Sequence, residues 1–345
     1  MTAKYYKHIL EFKRPSGTSR GILKTKETWF ICITDGNHKG IGECGILRGL
    51  SIDDRPDYEE KLKWTCDNIH LGVDYLYNEL LHYPSIQFGV EMAFLSLQSK
   101  TPYILFPTDF TENQSPIRIN GLIWMGDKVF MKDQIQEKLS TGFDCIKMKI
   151  GAIDFNAELA LLTYIRSQFS EDEIELRVDA NGAFDPDAAL SQLTKLAEFG
   201  LHSIEQPIKQ GHSKLMAELC AQTPLPIALD EELIGIFEYD EKKVLLETIQ
   251  PQFIIIKPSL VGGFRGSKEW ITIAEELGIG WWITSALESN IGLNAIAQFT
   301  STLGNNMPQG LGTGALYTNN FQSPLEVLNG NLIYNKNRSW EVSYI

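Results

Sequence analysis

The chain has no CxxC pair, no low-complexity segment and no apolar run near the roughly 20 residues that a membrane helix requires. Its five cysteines, Cys32, Cys44, Cys66, Cys145 and Cys220, are odd in number and scattered. That spacing argues against a disulfide framework and against zinc, which wants clustered ligands; it reads as buried thiols in a reducing compartment. Positive charge is in short supply. Against 44 Asp and Glu stand 31 Lys and Arg, a formal charge of −13. Nucleic-acid binding rests on basic patches, so nucleic acid is not an expected partner, and an anionic membrane surface offers no attraction. An anionic substrate needs a local positive field to overcome the global one. The opening MTAKYYKHILEFKR has no apolar core, so no secretory signal is expected and the cytoplasm is the expected location.

What is present is an ordinary globular composition, 43% hydrophobic and 22% charged over 345 residues, enough for one large domain and a smaller one. Residues 1–115 read as an α+β capping module. ETWFICITDG and KGIGEC are expected strands, with Asp35-Gly36 as a turn signal; the stretch Asp57 to His70 is helix-compatible, and Gln87 to Gln98 has a broad apolar helical surface. From Pro116 the rhythm becomes strand, helix, strand. The expected strands are IRINGLIW, CIKMKI, IELRVDA, LHSIEQ, PIALDE, FIIIKP, GWWITSA and QGLGTG. Asp154 and Asp185-Pro186 open two of the helices between them, and Val261 to Leu277 and Asn290 to Leu303 are the last two. Eight strands with seven intervening helices predict an α/β fold, a modified (β/α)7β barrel over 116–319. The tail, 320–345, contains strand-like NLIYN and WEVSYI and is expected to return to the N-terminal module.

Five of these strands end in a charge: Lys149, Asp179, Glu205, Asp230 and Lys257, at intervals of 25 to 30 residues. That interval is one strand, one helix and two loops, so all five converge on the barrel mouth, where such folds do chemistry. Asp179, Glu205 and Asp230 would repel one another without a cation between them. All-oxygen ligands with no nearby His or Cys favour a hard ion, Mg²⁺, with Mn²⁺ as a substitute. One such acid alone would as readily cap the following helix; three in register, flanked by lysines, point to metal. Lys147 and Lys149 share one strand face, and Lys257 comes from across the mouth. An amine crowded by a second ammonium and a divalent ion is poised as a base unless nearby carboxylates win. The metal would then stabilise charge developing on a substrate carboxylate. Asn181, two residues after Asp179, is placed to hold a ligand or a lysine, or to cap the loop. Glu231 either pairs with a lysine or starts the next helix. Ser285 either binds a substrate carboxylate or makes a plain turn. Gly312, in QGLGTG, allows a ligand close to the backbone.

Lys147-x-Lys149, Asp179-Ala-Asn, Glu205-Gln-Pro, Leu-Asp230-Glu and Lys257-Pro, in this order, resemble the muconate-lactonising subgroup of the enolase superfamily, which pairs a Lys or His base with magnesium. The resemblance covers nearly the whole chain, and SALESNIGLNAIAQ is most similar to the o-succinylbenzoate synthase family of menaquinone biosynthesis. It implies a Mg-dependent carbon–oxygen lyase acting on a cyclohexadiene that bears a carboxylate, a hydroxyl and a succinyl chain. In that scheme Lys149 is the base that takes the α-proton and then assists loss of hydroxide. Lys257 is an ammonium over the other ring face, and Lys147 binds a carboxylate oxygen. Asp179, Glu205 and Asp230 hold the metal, Asn181 and Glu231 support them, and Ser285 and Gly312 contact substrate. The loop from Ser16 to Gly21 is expected to close over the succinyl end. The alternative is an N-acylamino acid racemase or dipeptide epimerase of the same superfamily. Dipeptide epimerases carry Asp-x-Asp on the eighth strand, where this chain has Gly312-Thr313-Gly314. The expected partner is a small-molecule carboxylate, and the sequence is compatible with a homo-oligomer.

Overall fold

The computed structural model describes residues 1–18 and 21–342; Ser19 and Arg20 of the expected closing loop, and the last three residues of WEVSYI, lie outside the described residues. Three strands, β1 (Thr2–Thr18), β2 (Gly21–Asp35) and β3 (His38–Gly45), form an antiparallel sheet in sequence order. Asp35 pairs with His38 around a two-residue turn in which Gly36 takes φ +58°. β1 has no counterpart among the sequence-predicted strands. Most of its described side chains are solvated and among them only Leu10 and Ser16 are buried, so it is ordered mainly by its ladder to β2 and offers only a weak apolar pattern to read.

Helices α1 (Tyr58–Asp67), α2 (Val73–Glu79) and α3 (Pro84–Gln98) pack on this sheet around Trp29, Ile31, Leu62, Leu76 and Val90. α3 lies unusually close to β3 because glycines meet there. A Cβ on Gly42 would stand 1.8 Å from the Gly89 carbonyl oxygen, and one on Gly89 would stand 2.1 Å from Cys44 Sγ. The Gly spacing of KGIGEC is therefore set by a helix crossing.

After the short α4 (Asp109–Glu112), the expected strand IRINGLIW divides in two. β4 (Ile117–Arg118) pairs with the C-terminal hairpin, while β5 (Gly121–Ile123) enters the barrel. There follow α5 (Lys128–Ser140), β6 (Cys145–Lys149), α6 (Phe155–Arg166), β7 (Glu175–Asp179), α7 (Pro186–Ala197), β8 (Ser203–Glu205) and α8 (Ser213–Gln222). Next come β9 (Ile227–Leu229), α9 (Tyr239–Ile249), β10 (Phe253–Ile256), α10 (Gly263–Glu276), β11 (Gly280–Ile283) and α11 (Asn290–Ser301). β5 to β11 are parallel neighbours in chain order. The Asp154 and Asp185 carboxylates cap α6 and α7 by accepting from backbone N–H groups. The eighth stave is no full strand: only Gln309 and Gly310 bridge Ile119 and Thr284, both in parallel, and this closes the barrel. Gly310 is fixed by space, since a Cβ there would lie 2.3 Å from Thr284 Oγ1. The hairpin of β12 (Leu325–Leu328) and β13 (Asn331–Tyr334) joins β4, and Trp340 stacks on Tyr103. Among the described residues no helix is long and apolar enough to cross a membrane.

Candidate active site

Each charge sits where its buried strand runs out. Lys149, Asp179 and Glu205 are register partners at the C-terminal ends of β6, β7 and β8, with Asp230 and Lys257 just beyond β9 and β10. The alternation of β6 sends Lys147 and Lys149 inward and Met148 into the surrounding core. The three acids are almost fully buried, at 0%, 2% and 2% exposure. Unpaired they would be prohibitively costly, and the lysines interleave them. Lys147 Nζ lies 2.9 Å from Asp179 Oδ2 and also donates to Glu205. Lys149 Nζ donates to Asp179 Oδ2 at 2.9 Å and to Asn181 Oδ1 at 2.7 Å. Lys257 Nζ donates to Asp230 and stands 3.6 Å from Glu205 Oε1.

Burial alone would push the Asp179 carboxyl up, but the Lys147, Lys149 and Lys257 ammoniums outweigh it and hold Asp179 well below the usual carboxylate range. Asp230 moves the other way. Burial, with the negative charges of Glu231 and Glu205, drives it well above the usual value despite Lys257. For Lys147 and Lys257 the carboxylates prevail over burial and raise both. The sequence had suggested that a crowded amine could lose its charge; around these two the acids prevent it.

Among the described residues no three His, Cys, Asp or Glu side chains are gathered into a ready cage; ammoniums stand between the acids. The donors nevertheless suit a hard cation. They are all oxygen and buried, Glu205 Oε1 makes no hydrogen bond, and the charge pushing Asp230 up is what a cation would relieve.

Asn181 takes φ +45°, which brings its amide back over the site to join Lys149 to Glu231 Oε1, 3.1 Å from its Nδ2. Gln206 went unassigned in the sequence. At φ +39° and fully buried, its Oε1 accepts from the backbone N–H groups of Asp230 and Glu232 at 3.2 and 3.3 Å, setting the turn that carries Asp230 and Glu231. The signal available was its place in Glu205-Gln206-Pro207. Glu43, in GIGEC, was also missed as a contact. Its carboxylate accepts from Thr28 Oγ1 within the cap and, across to the barrel, from Ser289 N, Ser289 Oγ and Gly292 N, clamping the start of α11. Next to it, Glu288 accepts from Ser259 Oγ at 2.5 Å, tying the loop after β11 to the turn after Lys257.

A cavity of about 460 Å³ opens between cap and barrel. Lys147, Lys149, Asp179, Asn181 and Lys257 line it from the ends of β6, β7 and β10, and Ser285, Gly312 and Thr313 line it beyond β11, with Ser285 Oγ 2.6 Å from Thr313 Oγ1. Lys13 to Ser16 and Gly21 to Leu23 border it from the cap. Ammoniums interleaved with buried acids at the mouth of a barrel suit chemistry that stabilises carbanionic charge beside a carboxylate.

Comparison with known proteins agrees. Residues 131–337 match the enolase C-terminal domain-like family. An o-succinylbenzoate synthase of Desulfotalea psychrophila is 46% identical, covering 96% of this chain and 98% of that one. The crystal structure of MenC from the same organism superposes with a TM-score of 0.86 at 42% identity, over 96% of this chain and 99% of that one. An L-Ala-D/L-Glu epimerase of Bacillus subtilis is more distant, 26% identical over 59% of this chain and 54% of its own. The chain belongs to the enolase superfamily and, within it, to the o-succinylbenzoate synthase family.

Proposed function

We propose that this protein is a cytoplasmic dehydratase of menaquinone biosynthesis that converts a succinyl-bearing hydroxycyclohexadiene carboxylate to o-succinylbenzoate. One observation carries the reading: Lys149 and Lys257 rise from the second and sixth staves of the barrel, on opposite sides of a cavity whose wall between them is acidic. Lys149 takes the proton from the carbon next to the substrate carboxylate. The C–H electron pair becomes a ring double bond, the C–O pair leaves with the hydroxyl, and the proton on Lys149 completes the water. Lys257 stays an ammonium and holds the opposite ring face by charge. Lys147 binds a carboxylate oxygen. Asn181 and Gln206 keep Lys149 and Asp230 in place, while Ser285 and Gly312 border the substrate. Asp179, Glu205 and Asp230 would hold Mg²⁺, whose charge, when bound, lowers the energy of the carboxylate as it gains electron density. Aromaticity of the product drives the elimination, so a single base is enough.

The test is an ultraviolet assay for aromatic product with the cyclohexadiene substrate, with and without EDTA. Turnover with Mg²⁺ that EDTA abolishes is expected. No turnover at saturating Mg²⁺ would remove the assignment.

A further inference from the structure

The acids occupy the third to fifth staves of the barrel, β7 to β9. The opposite wall is built from β11, the bridging pair Gln309–Gly310, and β5. On that wall Gly310 and Gly312 bring no side chains of their own, Thr284 Oγ1 fills the space a Cβ on Gly310 would take, and Thr284, Leu122 and Asn120 line the cavity beside them. Strand alternation explains the lining. Gly121 faces out toward Lys138 and Phe143, which turns Asn120 and Leu122 inward. Leu122 is in register with Lys147, so Asn120 lies one inward layer deeper than the lysine.

Asn120 is 6% exposed, and its side-chain amide makes no hydrogen bond to any described residue; Oδ1 is buried without a partner. A buried amide left bare costs stability, and such groups are retained where a ligand satisfies them. Neither end of the amide is held by protein, so it can turn Nδ2 toward an acceptor.

We propose that Asn120 is a substrate-binding residue of this cavity wall, donating from Nδ2 to an oxygen of the substrate's succinyl arm. The assignment rests on the dehydratase reading. With the reacting carboxylate drawn to Lys147 and the acids, the arm extends along the opposite wall of the cavity, which Asn120 lines. Asn120 then discriminates substrates by their arm and takes no part in proton transfer.

The experiment measures dissociation constants of o-succinylbenzoate and of benzoate, which lacks the arm, together with steady-state kinetics. Asn120→Leu keeps the volume and removes both polar ends. It is expected to weaken o-succinylbenzoate about tenfold or more, to leave benzoate unchanged, and to raise KM with kcat held within about threefold. Asn120→Asp, which sets a carboxylate against an anionic arm, is expected to weaken o-succinylbenzoate further still, with a melting temperature near that of the wild type. Equal weakening of both ligands, or a fall in kcat at constant KM, would show a structural role and overturn the assignment, as would unchanged affinity. Wild-type protein that makes no aromatic product would overturn the activity itself. Product formation with an indifferent Asn120 overturns this inference alone.

Discussion

A lysine can serve as a base only where its proton can leave and return, and Lys149 is placed differently from its two neighbours. Lys147 and Lys257 are each gripped by acids that raise them, while Lys149 divides its donors between Asp179 and a neutral amide oxygen, Asn181 Oδ1. Lys149→Arg keeps the charge but replaces the amine with a guanidinium that does not give up its proton. It is predicted to lower the dehydration rate by at least about 10²-fold, measured by the ultraviolet assay; a milder loss would assign the base elsewhere. Asn181→Leu removes the amide that aims Lys149. A loss of about 10- to 100-fold in kcat with little change in KM is expected, and an unchanged kcat would show that Lys149 is oriented without it.

At the scale of elements, what the sequence revealed follows from burial. A parallel strand covered on both faces reads as an apolar run, so a charge ending one is conspicuous. That is why CIKMKI, IELRVDA, LHSIEQ, PIALDE and FIIIKP were legible together with Lys149, Asp179, Glu205, Asp230 and Lys257. β1 was not legible, because it is held by pairing and leaves most of its side chains in solvent. The eighth stave was expected as a strand and is a two-residue bridge; glycines fit there without committing the chain to a ladder. Gln206 and Asn120 were invisible for another reason: the worth of a buried amide depends on which distant segments lie against it, and those are set by the whole barrel. The contact of β3 with α3 is the most demanding of these fits. Gly42→Ala is predicted to destabilise the protein by about 1–3 kcal/mol, because the new methyl meets the Gly89 carbonyl oxygen and helix or strand must shift. A lower urea midpoint with unchanged slope is the expected result, and an unchanged midpoint would contradict the close approach.

At the scale of the whole molecule, cap and barrel are joined by buried carboxylates. Glu43 clamps α11, and Glu91 on α3 accepts from Phe264 N at 2.6 Å at the start of α10. Burial pushes Glu91 up to about 7 from 4.5, only partly offset by the Phe264 N–H and Arg265. Its folded value lies above its unfolded one, so its contribution to stability is fully present below about pH 4.5 and is lost as pH rises through about 7. Glu91→Gln, which keeps an acceptor and removes the titration, should gain on the wild type between those limits by an amount on the order of 3 kcal/mol. Melting curves at pH 4.5 and 7.5 check this, and a constant difference between the two proteins would contradict it. The same molecule, acidic overall, concentrates three lysines at its mouth, and the account requires that the acids among them exchange ammonium contacts for one divalent ion. Calorimetric titration of Mg²⁺ into the wild type and into Glu205→Gln measures this directly. One ion bound per wild-type chain, with binding abolished or greatly weakened in the variant, is the predicted result; equal binding by both proteins, or none by the wild type, would contradict it.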